Sequence, residues 1–119
     1  MDRKALVRAY LEAPRPAGVY RIRNTASGRS LVGVSPDVPS ILRRQRFQLE
    51  HGSHPEKELQ ADWNALGPEA FAFETLDLLK PSDDPEYEPA EDLRALKALW
   101  VADLTAAGTP LYPRSLRDV

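Results

Sequence analysis

Gly18-Val19-Tyr20-Arg21-Ile22-Arg23-Asn24-Thr25-Ala26-Ser27-Gly28-Arg29-Ser30-Leu31-Val32-Gly33 is the stretch whose reading decides the fold. Val19, Tyr20 and Ile22 are strand formers, and Ser30-Leu31-Val32 makes a second run. Asn24 to Gly28 between them are turn formers, ending in a glycine able to take positive φ. The pattern predicts a β-hairpin. A lone hairpin is marginal in water, so helices from the rest of the chain must back it.

Outward from the hairpin, residues 2–12 suit a short helix with Asp2 as N-cap, closed by Pro14 and Pro16. Downstream, Ser35-Pro36-Asp37 offers a turn and an N-cap, with Pro39 tolerated in the first helical turn. That helix runs to about Glu50, burying Ile41, Leu42 and Leu49, exposing Arg43, Arg44 and Arg46, and closing at Gly52. Ser53-His54-Pro55-Glu56 fits a capping box for a helix with Leu59, Trp63 and Leu66 on one face, ended by Gly67. Ala70 to Leu78 reads as a third strand. The acidic stretch Lys80 to Glu88 is a loop, and Pro89 opens a last helix burying Leu93, Leu96, Trp100 and Leu104. From Thr109 the chain has two prolines and no periodicity, and an irregular, loosely packed tail is expected over 109–119.

The 119 residues make one domain, with a core over about 18–104. There is no apolar run long enough for a membrane span and no secretory signal, so a cytoplasmic protein is the expectation. Absence of cysteine excludes disulfides and thiolate zinc sites. The net charge of −2 hides an asymmetry: residues 1–46 carry a balance of +7 and residues 47–119 a balance of −9. The basic half suits a phosphate-binding face.

Gly18-Val19-Tyr20 and, after ten intervening residues, Leu31-Val32-Gly33 resemble the paired tripeptides of the GIY-YIG nuclease family. Asn24-Thr25 with Gly28, Gly52-Ser53-His54, Leu59-Gln60, Asn64, Gly67, Phe71 and Trp100 resemble, in the same order, the intron-encoded homing endonucleases of that family. The resemblance implies an α/β (α+β) fold, a three-stranded sheet flanked by helices. It also implies phosphodiester hydrolysis supported by two tyrosines, an arginine, a histidine or tyrosine, and a helical glutamate holding one divalent cation such as Mg²⁺.

Carried over by position, the resemblance makes Tyr20 the first tyrosine and His54 a phosphate- or water-contacting histidine. Leu31 stands where the second tyrosine would be and has no proton to exchange. The family arginine position is Ile41; Arg44, one helical turn on, is the expected substitute. Gln45 follows at the histidine or tyrosine position and cannot act as a general base. Lys97 occupies the metal-glutamate position, so no metal ligand is assigned, and Glu74 is the other carboxylate to test, against a salt-bridge role. Arg21, Arg23, Arg43, Arg46 and Lys97 complete the expected nucleic-acid-binding set, from which Arg114 is excluded.

Three readings stand at this point. The chain is an endonuclease with an altered site acting on nucleic acid, DNA first; or a catalytically silent module binding DNA or RNA; or a protein-interaction domain using the acidic 82–92 segment. The sequence assigns no oligomeric state.

Overall fold

The computed structural model describes residues 15–117, so the helix expected over 2–12 lies outside the described residues. Two strands, β1 (Gly18–Asn24) and β2 (Ser30–Ser35), form the expected antiparallel hairpin, and β3 (Phe71–Leu78) pairs antiparallel with β1 on its other side. The sheet order is therefore β2-β1-β3, with the hairpin's first strand in the middle. The turn is local chemistry. Asn24 Oδ1 accepts from the Ala26 N–H at 3.0 Å, and Gly28 takes φ 77° where its N–H closes on Asn24 O.

Among the described residues three helices cover the sheet: α1 (Val38–Glu50), α2 (Lys57–Leu66) and α3 (Ala90–Ala106). Ile22, Leu31, Leu49, Leu59, Trp63, Phe71 and Tyr112 form one core cluster, drawing on α1 and α2. Val19, Val32 and Val101 form a second, against which Leu96, Trp100 and Leu104 of α3 pack. Alternation along the strands sends successive side chains to these two layers. Asp37 caps α1 as expected, accepting from Ser40 N.

Four expectations are corrected. Ser53 and Glu56 make no capping box: α2 starts at Lys57 without a side-chain cap, because the His54 ring and the Gln60 amide take the nearby backbone N–H groups instead. Leu66 lies exposed at the last turn of α2. Trp100 is only half-buried, its indole N–H donating to Asp77 Oδ2 at 3.1 Å, while Lys97 and Val101 are the buried positions beside Leu93. Finally, the described tail is neither loose nor frayed. Tyr112 is fully buried, Leu111 bridges to Ser30, and Pro113–Leu116 forms a 3₁₀ turn.

Long-range hydrogen bonds hold that tail against the outer edge of β2. Ser30 N–H donates to Pro110 O, Tyr112 N–H to Ser30 O, and Val32 N–H to Ser115 Oγ at 2.9 Å. The Ser115 hydroxyl in turn donates to Ser30 O. The edge is thus covered through Val32.

Candidate functional site

Beyond Val32 the β2 edge opens into a cavity of about 280 Å³. Tyr20, Leu31, Gly33, Gln45, His54, Lys97, Arg114 and Arg117 are among its lining residues. Strand alternation turns the Val34 N–H, two residues after Val32, toward the same edge. Register sets the floor: Tyr20 pairs with Gly33, so the tyrosine of one tripeptide lies beside the glycine of the other. A Cβ at position 33 would collide with the Tyr20 ring and hydroxyl, so any other residue there requires the Tyr20 side chain to move.

A chain of hydrogen bonds crosses the wall. Glu56 N–H donates to His54 Nδ1 at 2.9 Å, His54 Nε2 lies 2.9 Å from Gln45 Oε1, and Gln45 Nε2 lies 2.5 Å from Tyr20 Oη. Tyr20 and His54 are both buried, at 6% exposure each. Burial pushes the Tyr20 hydroxyl above its ordinary pKa, against smaller opposing effects of the Gln45 hydrogen bond and the Arg114 charge. Burial likewise pushes His54 down; the Glu56 charge opposes this and Arg114 adds to it. Both shifts favour the neutral form.

The positive charge comes from three places. Lys97 is buried on α3, with Nζ donating to Arg117 O at 2.7 Å. Arg114 is half-buried and tied through its backbone N–H to the buried Glu56 carboxylate at 2.8 Å. Arg117 is exposed at the rim.

The residues expected from sequence divide sharply. Tyr20, His54 and Lys97 meet at the cavity. Arg44 is exposed on α1 and does not line it. Arg43 bonds Ser40 Oγ, and Arg46 pairs with Glu50 at 3.1 Å and lies over the Phe73 ring. Arg21 and Arg23 close on Glu74 at 3.3 and 2.7 Å, the salt-bridge role weighed for that carboxylate. His51 is exposed and stacks on Phe47. Sequence reasoning missed Arg114, whose place is fixed only by contacts far along the chain. It also missed the bridging part of Gln45, although the helical position itself was flagged.

The donors around the cavity do not fit a divalent cation. Such an ion takes hard oxygen ligands, carboxylates above all, whereas among the described residues no carboxylate lines this cavity and three cationic residues do. Among the described residues, no group of three or more His, Asp or Glu side chains is placed to hold a metal ion.

No protein-family model matches the sequence, and no curated protein matches it. Solved structures do. A point mutant of the catalytic domain of intron endonuclease I-TevI superposes with a TM-score of 0.63 at 24% identity, covering 80% of this chain and 90% of that one. The catalytic domain of homing endonuclease I-TevI gives 0.62 at 23% identity, covering 81% and 95%. The chain has the GIY-YIG fold. Within this GIY-YIG domain the two tripeptides lie side by side at the cavity floor, and the lysine of α3 forms part of its wall. No described helix is long and apolar enough to cross a membrane.

Proposed function

We propose that this domain binds nucleic-acid phosphate in the cavity at the β2 edge, without a divalent metal and without metal-dependent cleavage. One observation carries the reading: Lys97, Arg114 and Arg117 border a cavity that, among the described residues, no carboxylate lines. A nonbridging phosphate oxygen there meets charged donors from α3 and the tail and the neutral hydroxyl of Tyr20. Leu31 supplies no proton-transfer group, and Lys97 cannot acidify a water as a bound cation does. The GIY-YIG fold, shared with endonuclease catalytic domains, makes nucleic acid the favoured source of the phosphate, DNA first.

The test compares labelled single- and double-stranded DNA and RNA by fluorescence anisotropy, with Mg²⁺, Mn²⁺ or chelator present, and follows cleavage on gels. Expected are binding indifferent to chelator, a steep loss between about 50 and 200 mM salt, and no cleavage product. Mg²⁺-dependent cleavage abolished by chelator, or no binding at low salt, would overturn the proposal.

A further inference from the structure

We infer that Gln45 is a positioning residue that turns the Tyr20 hydroxyl hydrogen into the cavity, making Tyr20 a directed donor to an anionic phosphate oxygen. The inference rests on the phosphate-binding reading above and assigns the hydroxyl its role within it.

The direction of the whole chain follows from one group that cannot be reassigned. The Glu56 backbone N–H always donates, so His54 Nδ1, 2.9 Å away, must present a lone pair. The proton of the neutral imidazole therefore sits on Nε2. Nε2–H needs an acceptor, and the Gln45 atom 2.9 Å from it must be the carbonyl oxygen. The other end of that amide, facing Tyr20 Oη, is then the NH₂ group, which has no lone pair to offer a donor. Tyr20 Oη accepts from Gln45, and its own hydrogen is turned away from the amide toward the cavity it lines.

This polarity suits a donor and opposes a base. A base at Tyr20 would have to lose its proton, and burial makes that harder than for an exposed tyrosine. As a donor it needs only a fixed hydrogen, which the amide supplies at no charge. Gly33 keeps the ring in place beneath the amide, since any side chain there would displace the hydroxyl. Position 45 is thus more than a lost catalytic histidine or tyrosine. Glutamine reads the histidine tautomer at one end and sets a hydroxyl at the other.

The experiment is a double-mutant cycle of Tyr20→Phe and Gln45→Met, read by NMR titration with inorganic phosphate and by anisotropy with a labelled oligonucleotide. Each single change should weaken both ligands roughly tenfold, the scale of one hydrogen bond to a charged group. The double variant should bind no worse than Tyr20→Phe alone, because Gln45 acts through the hydroxyl. Gln45→Glu places an acceptor at both ends, captures the Tyr20 hydrogen, and should weaken binding more in the Tyr20 background than in the Phe one. A purely structural role would not move the tyrosine itself: the ¹³Cζ signal of Tyr20 should titrate at higher pH in Gln45→Met, which lacks the N–H that stabilises the phenolate. In the unmodified protein, ¹⁵N spectra should show His54 in the Nε2–H form, a measurement that survives even if a variant fails to fold.

Additive losses, unchanged binding in Gln45→Met, or an Nδ1–H His54 would overturn the inference. Phosphate binding with the expected cycle but no oligonucleotide binding would leave the donor role standing and defeat the nucleic-acid reading. Oligonucleotide binding indifferent to Tyr20→Phe would do the reverse.

Discussion

Two groups of positive charge sit on this small sheet, and they end differently. On the β1–β3 side, Arg21 and Arg23 converge on Glu74, whose carboxyl is held below its ordinary pKa, first by the Arg23 hydrogen bond and also by both guanidinium charges. At the β2 edge, Lys97, Arg114 and Arg117 border a cavity with no carboxylate of the described residues in its wall. The first group is closed, its charge answered within the protein. The second borders a space that a ligand can enter. In a chain of net charge −2, counting cations finds both groups equally; only the placement of the acids separates them.

The comparison breaks most visibly at Arg114. Arg114→Ala should weaken oligonucleotide binding by about tenfold or more, as loss of a charged contact to phosphate does, while Arg23→Ala should leave it nearly unchanged. Anisotropy titrations at one low salt concentration decide, and equal losses would erase the distinction between the two groups. A smaller effect of opposite sign is expected from Glu74→Gln. Releasing Arg21 and Arg23 from their acid should tighten binding a few-fold at low salt and steepen its salt dependence. Unchanged binding and slope would mean that Glu74 is not what keeps that side silent.

The smallest effect concerns His54 and stability. Its pKa lies below the unfolded value of about 6.5 because burial disfavours the charged ring. The unfolded chain therefore takes up this proton first as pH falls. Stability that is fully present above the unfolded pKa is lost as pH drops through the folded one. Urea unfolding at pH 7.5, 6.5 and 5.5 (chosen to be about one unit around that reference) should show a decline that His54→Gln flattens. Parallel declines in both proteins would assign the pH dependence to other groups.

Much of the fold was legible because its signals are local. The hairpin turn is written in Asn24 and Gly28, the start of α1 in Asp37, and the end of α2 in Gly67 at φ 86°. What was illegible depends on groups distant in sequence. Glu56 reads as a capping residue from its spacing, yet its carboxylate is claimed by the Arg114 backbone, 58 residues on. Lys97 shares helical spacing with Leu93 and Val101, so its burial was visible in the period and obscured by its charge. Tyr20 and His54 could be picked out by resemblance. Their connection could not, because it runs through a glutamine amide that has meaning only in three dimensions.

The strap along β2 makes the cavity depend on contacts that are distant in sequence. Ser115 bonds to Ser30 across 85 residues, and Arg114 to Glu56 across 58. The hairpin can form from contacts within a few residues, but these closures must wait for a long stretch of chain to be drawn in. Two of the three cations, Arg114 and Arg117, lie on the segment these bonds hold. Without residues 110–117 in place the pocket is incomplete, so ligand binding reports on the docking of this segment as well as on the sheet that carries it.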